Sequence, residues 1–385
     1  MTNVKDRLCD AFKQAYGRAP DVVARAPGRL EILGNHTDYN EGCALSCAVD
    51  KATWFAAAPT NGTSSIRSVV DFDTGEQRQA EADVTALGQP TRGAWQNYVL
   101  GVIVELQRRG HTVGNFDAML CSDVPMSSGM SSSAALEMAA AYALGKLNDI
   151  SLAPTEWARV GQASENNYVG ANTGLLDQIS STMAQADHLV HIDFRDLSVE
   201  TEPMSDEVVV VVANSGVKHD LTADYNERRA RCEEAAAALS VTFLRDVGPA
   251  ALEHGREAMS ITAYRRALHV VGENDRVARA REALRQDDMP ALGRLLLESH
   301  ASSRENFENS CPELDFLVAA GSSLPGCLGA RLSGGGFGGI SIHLVEREQA
   351  QTYVDRLRSA FKTEFDRDPA PMICNAGAGA SIQHV

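Results

Sequence analysis

Pro125-Met126-Ser127-Ser128-Gly129-Met130-Ser131-Ser132-Ser133-Ala134-Ala135 follows the apolar run Phe116 to Val124 and leads into a helical pattern. A strand, a small-residue loop and a helix start, in that order, make an anion site. The first N–H groups of a helix lack internal partners, and the helix dipole is positive there. Glycine and serine let a phosphate approach the backbone, and the hydroxyls can reach a phosphate or a metal ion. The segment points to nucleotide phosphate binding; an ordinary serine N-cap is the plainer alternative.

Working outward, Val22 to Leu33 reads as strands broken at Pro27-Gly28, and residues 43–58 as β-like. Residues 59–93 read as a hairpin or long loops. Helices are expected over 3–16, 94–109, 133–147, 153–169, 176–186 and 225–239, with several more up to 320. Strands are expected over 115–124, 189–194, 208–214, 328–333 and 340–345, and a last one near 370–374. The pattern fits an α+β chain in two halves around a shared cleft, with a boundary near 195–205.

Ser333 to Gly339 contains G-x-G-x-x-G. The dinucleotide fingerprint needs a helix after it, whereas Ile340-Ser341-Ile342-His343-Leu344 alternates as a strand does. Glycines between two strands imply positive φ or close approach to another group, so this loop is expected to shape an active site. No Walker A loop exists, because Gly145-Lys146 is followed by Leu147.

Arg29 and Gly34-Asn35-His36-Thr37-Asp38-Tyr39-Asn40 pack donors and acceptors densely after a short strand. That suits a polyhydroxylated ligand such as a sugar; a run of Asx turns is the alternative. Asp177 stands beside Leu175 and Leu176, and a carboxylate among apolar groups needs a cationic partner, for which Arg29 is the candidate. Trp95 and Tyr98 lie three apart, placed on one helix face, as core packing or as a stacking wall for a nucleobase.

Composition narrows the class. The 385 residues are 44% hydrophobic and 22% charged, as a soluble globular chain should be. No apolar run approaches the ~20 residues of a membrane span, and the N-terminal segment has acids where a signal peptide has an apolar core. A cytoplasmic protein without membrane partner is expected. Net charge is −16, with no basic patch for nucleic acid. The eight cysteines form no C-x-x-C pair, which removes zinc-ribbon and thioredoxin-like readings.

Together these segments resemble the galactokinases, within the GHMP small-molecule kinase superfamily. The resemblance rests on Arg25-Ala26-Pro27-Gly28-Arg29 to Gly42, Pro125 to Ala135, Gly174 to Gln178, Asp224 to Glu234, Leu296 to Leu314 and Ser333 to Gly339. It implies a two-domain α+β GHMP kinase fold, divided as 1–200 and 201–385, with the active site in the cleft between domains. It implies ATP, Mg²⁺ and transfer of the γ-phosphoryl to the C1 hydroxyl of α-D-galactose. Matched by motif, Asp177 is the catalytic acid and Arg29 its charge partner. Asn35, His36, Asp38, Gly174 and Tyr225 contact the sugar. Gly129, Ser131 and Ser132 lie on the phosphate loop, Ser133 and Glu165 match the magnesium pair, and Trp95 and Tyr98 match the adenine pocket. A monomer or weak homo-oligomer is expected.

Three positions depart from the family pattern. Asn35 stands where Glu is usual, on the side chain facing the C6 end of the sugar. Glu31 replaces a usual Asn, and Met130 a usual Leu. Asn35 would tolerate a carboxylate at C6, so a kinase for galacturonate or another C6-modified sugar is the second expectation. A non-catalytic galactose sensor is a third, disfavoured by the complete phosphate loop and by Asp177.

Overall fold

The computed structural model describes residues 3–125, 129–171, 173–217 and 222–384, without the side chains of 222 and 223. Met126, Ser127 and Ser128 of the expected phosphate loop lie outside the described residues.

Helix α1 (Val4–Tyr16) precedes the strands β1 (Val22–Leu33), β2 (Cys43–Pro59), β3 (Ser64–Asp71) and β4 (Glu76–Ala82). Helix α2 (Asn97–Arg108), strand β5 (Phe116–Ser122) and helices α3 (Ser132–Leu147), α4 (Pro154–Ser164) and α5 (Leu176–Met183) follow, then β6 (His188–Asp193), β7 (Val199–Pro203) and β8 (Val208–Asn214). Helices α6 (Thr222–Ala238), α7 (Pro249–His254), α8 (Ile261–Arg285), α9 (Met289–Ser302) and α10 (Pro312–Ser322) lead to β9 (Cys327–Ser333) and β10 (Ile340–Glu346). The chain ends with α11 (Ala350–Phe365), β11 (Met372–Cys374) and β12 (Ser381–Gln383).

Two sheets result. The first runs β12-β1-β2-β5-β3-β4, with β6 pairing with the start of β2 and β7 pairing with β6; the second runs β11-β8-β10-β9. The switch between sheets falls between Pro203 and Val208. Residues 381–383, expected in the second half, instead pair antiparallel with Val23–Arg25 of the first sheet. That strand and β7 carry too few residues to show a period in sequence. β1 is also continuous rather than broken: the register shifts between Pro27 and Arg29, a bulge that accommodates a proline without an N–H.

The valine run of β8 shows why it is apolar on both faces. Val208, Val210 and Val212 pack with Leu30, Ile32 and Leu33 of β1, Ile340 and Ile342 of β10, and α8 and α9. Val209, Val211 and Ala213 face Leu317 of α10 and Tyr353, Leu357 and Phe361 of α11. Each such side chain contributes roughly 1.5–3 kcal/mol of burial. The first of these clusters joins both sheets, so β1 is held from each side. β1 carries the next residues, 34–40, out of this shared core to the cleft.

Helix α3 is buried almost all round, with Ala134, Ala135, Ala139, Ala140 and Ala143 fully enclosed. Small side chains let it lie close to β1, β2, α2 and α4. Its N-terminus is thereby fixed at the end of the segment that follows β5.

Candidate active site

Arg29 leaves β1 just after the bulge. Its backbone N–H donates to Met130 O at 3.0 Å, and its Nη1 donates to Gly129 O at 2.7 Å, so the strand and the loop before α3 are tied together. Nε and Nη2 reach Asp177 Oδ1 at 2.7 and 2.6 Å. Ser131 Oγ donates to Asp177 Oδ2 at 2.5 Å. Both partners of the Arg29–Asp177 pair are largely buried, which makes removal of either one costly. Ser131 holds a left-handed backbone, φ 54°, as the residue before α3; Ser132 and Ser133 open that helix, half-buried.

The segment after β1 turns on internal bonds. Thr37 Oγ1 donates to Gly34 O and Cys43 O at 2.7 and 2.8 Å, and Asn40 Nδ2 to His36 O at 3.0 Å. Gly34 and Asn35 both donate backbone N–H to Glu273 Oε2, at 2.8 and 2.9 Å. Burial opposes the Glu273 charge, but Arg276, at 2.6 Å, and the two N–H groups hold its carboxyl well below the usual range. Neither Glu273 nor Arg276 was singled out by sequence.

His36 lies against Tyr39, Tyr225 and Phe307. Its Nε2 faces Gly335 O at 3.2 Å, which can only accept, so Nε2 carries the proton and Nδ1 accepts from Tyr39 Oη at 3.1 Å. Burial pushes its pKa down to about 4, so the ring is neutral at pH 7. Asp38 is pushed up to about 6 by burial and by the charges of Glu31 and Asp177, against a hydrogen bond from the Tyr39 backbone. Gly174 lies beside it: a Cβ there would sit 2.2 Å from Asp38 Oδ2, so only glycine fits.

A cavity of about 440 Å³ gathers these groups. Arg29 on β1, Asn35, His36 and Asp38 in the segment after it, Gly174 just before α5, Asp177 on α5 and Tyr225 on α6 all line it. Gly334 and Gly335 close one side, as expected of the glycine-rich loop, with φ of 83° at Gly334 and Gly336. Glu31, Thr173 and Asn226 also line the cavity and were not among the site residues anticipated.

The expected magnesium and adenine residues lie outside that lining. The helix expected to run to Val169 stops at Ser164 and widens into a π-helical turn, Glu165–Val169. Glu165 Oε2 accepts from Thr173 Oγ1 at 2.9 Å and from Gln178 Nε2 at 3.0 Å. Burial and the Asp177 charge raise its pKa, while the Ser133 hydroxyl, also bonded to it, lowers it. Glu137 Oε1, buried nearby, has no partner among the described residues. One hydroxyl and one carboxylate fit Mg²⁺, which keeps most of its shell as water and phosphate oxygens. Tyr98 is half-buried on α2, and burial together with Glu165 and Glu137 raises its pKa. Trp95 is not on that helix face: α2 begins at Asn97, and Trp95 sits in the preceding turn, where its O accepts the Tyr98 N–H at 3.4 Å.

Three family models match the chain. Residues 10–59 match the galactokinase galactose-binding signature, 97–185 the GHMP kinases N terminal domain and 280–363 the GHMP kinases C terminal model. The chain belongs to the galactokinase family.

A galactokinase from Roseiflexus sp. is 39% identical over 97% of this chain and 95% of its own length. One from Bos taurus is 38% identical over the same shares. Among solved structures, a Lactococcus lactis galactokinase complexed with galactose superimposes with a TM-score of 0.89 at 27% identity, over 98% of this chain and 100% of that one. The L. major mevalonate kinase in complex with R-mevalonate has a TM-score of 0.64 at 16% identity over 94% of this chain and 97% of that one, and shares the fold alone. The fold is thus the two-domain α+β GHMP kinase fold, and the chain is an ATP-dependent sugar kinase. Among the described residues no helix is long and apolar enough to cross a membrane.

Proposed function

We propose that this chain transfers the γ-phosphoryl group of ATP to the C1 hydroxyl of α-D-galactose, giving galactose 1-phosphate and ADP. The observation that carries it is Asp177. One of its oxygens is fixed by Arg29 and the other by Ser131, and it opens onto a cavity where Asn35, His36, Asp38 and Tyr225 stand among apolar groups such as Leu176 and Phe194.

Phosphoryl transfer is mostly positioning and charge stabilisation. Asp177 orients the C1 hydroxyl and accepts its proton as that oxygen bonds to phosphorus and the bond to ADP breaks. Arg29 offsets the charge of the transferring group and fixes the loop that carries Gly129. Gly129, Ser131 and Ser132 border the phosphates at the α3 N-terminus. Asp38, His36 and Tyr225 bind the ring, His36 through a neutral imidazole. Ser133 and Glu165 would hold Mg²⁺, which neutralises phosphate charge when bound. Trp95 and Tyr98 wall the adenine. The division at 1–200 and 201–385, adjusted for the returning strand β12, a cytoplasmic location and a monomer or weak homo-oligomer without nucleic acid complete this proposal.

Galacturonate is disfavoured because Glu31, a second carboxylate, lines the cavity beside Asn35. Phosphorus NMR of the product with galactose and ATP tests the proposal. An anomeric phosphate coupled to H1 is expected, and a phosphate on any other carbon, or none, contradicts it.

A further inference from the structure

One acidic group in the cavity wall has no part in the chemistry above. Glu31 lies two residues beyond Arg29 on β1, on the same face and roughly 7 Å further along the strand. It is 5% exposed and lines the cavity. Its Oε1 accepts from Asn35 Nδ2 at 2.8 Å and from Arg331 Nη2 at 3.1 Å. Arg331 is itself fully buried and braced on Ile32 O at 2.9 Å. Ser333 Oγ bonds both the backbone N–H and the carbonyl of Glu31, each at 3.0 Å. The carboxylate is therefore fixed before any ligand arrives. Among the described residues Oε2 has no hydrogen-bond partner.

Asn35 is in the opposite condition. Both hydrogens of its Nδ2 are engaged, by Glu31 Oε1 and by Gly334 O at 2.8 Å. Its Oδ1 accepts from Asn309 Nδ2 at 3.0 Å. It has no donor left for a ligand, and it is 1% exposed. Glu31 lines the cavity, so a hydroxyl of a ligand bound there can donate to Oε2.

We propose that Glu31 is a specificity-determining residue: its free Oε2 accepts a hydrogen bond from a sugar hydroxyl remote from C1, and Asn35 is the positioning residue that holds it. This rests on the reading above that the cavity takes a sugar. A carboxylate acceptor at this place, its charge opposed by burial and supported by Arg331 and Arg29, selects for a hydroxyl donor. It rejects a sugar that lacks that hydroxyl or carries a carboxylate instead, since two carboxylates would meet.

The test is kcat and KM for galactose and its 2-, 3-, 4- and 6-deoxy derivatives, with wild-type protein and Glu31→Gln. Wild type is expected to lose roughly 10- to 100-fold in kcat/KM for one deoxy sugar through the missing charged hydrogen bond at Glu31. In Glu31→Gln the galactose KM rises with kcat nearly unchanged, and that one ratio shrinks to about threefold or less while the other three stay. If Glu31→Gln does not fold, Glu31→Asp keeps the charge beside Arg331 but withdraws the oxygen by one methylene, and the same ratio should fall. A folded variant that retains all four ratios overturns the inference and leaves the kinase reading standing. Wild-type protein that leaves galactose unphosphorylated overturns both.

Discussion

Ser131 Oγ donates to Asp177 Oδ2 at 2.5 Å, so the residue that opens α3 and the acid at the start of α5 are joined through side chains. On the proposed function, this bond ties the loop assigned to the phosphates to the acid assigned to the sugar hydroxyl. Catalysis by positioning needs such a link, because a displacement of about 1 Å can cost about 100-fold.

Replacing Asp177 by Asn keeps the shape and removes the proton acceptor. A general base contributes about 10²- to 10⁴-fold, and kcat should fall by that much while ATP affinity stays within about threefold. Steady-state rates and ATP calorimetry check this. A variant retaining a third or more of wild-type kcat contradicts the role.

Gly174→Ala should act by steric displacement, since the new Cβ would meet Asp38 Oδ2 at 2.2 Å. Asp38 must swing away from the cavity. Galactose KM should rise at least about tenfold, with a stability loss of roughly 1–3 kcal/mol typical of overpacking. Kinetics and thermal melts on the same preparation separate the two effects; unchanged KM contradicts the placement of Asp38.

Asp38 has a pKa pushed up to about 6 by burial and by Glu31 and Asp177. If its carboxylate binds the sugar, kcat/KM for galactose should rise with pH through about 6 and level off above it. His36, at about 4, is already neutral across that range. The stability consequence has the opposite sign. The folded state holds this proton more tightly than the unfolded chain, so stability falls as pH rises from about 4 to 6. Asp38→Asn should therefore be more stable than wild type at pH 7, by a margin that disappears near pH 3.5. Melting temperatures at the two pH values test this; equal margins at both would contradict it.

Ser133→Ala removes the hydroxyl beside Glu165. The Mg²⁺ concentration giving half-maximal rate should rise at least about threefold, in line with the cost of losing a metal-site hydrogen-bonding group. An unchanged titration counts against Ser133 as a ligand.

Local pattern carried most of the fold and the cavity. Asn35, His36 and Asp38 sit in one short segment, and Gly174 and Asp177 in another, so composition within a few residues marked them. The supports of those residues left no such trace. Glu273, Asn309 and Arg331 lie 238, 274 and 300 residues from the groups they hold. Glu273 in α8 and Arg331 in β9 look like ordinary charges in sequence; only folding buries them. Trp95 was misplaced for the reverse reason: apolar spacing continued past the true helix start at Asn97 into a turn. The exchange at 31 and 35 showed as two separate departures from family pattern. Only the 2.8 Å contact between Asn35 and Glu31 reveals them as one unit.

The most direct measurement is ATP consumption by the purified protein with Mg²⁺ over galactose, galacturonate, glucose, N-acetylgalactosamine and talose. Strong preference for galactose, with ADP and galactose 1-phosphate formed in equal amounts, is the expected result. Preference for another sugar, or turnover with none, would contradict galactose 1-kinase activity for this chain.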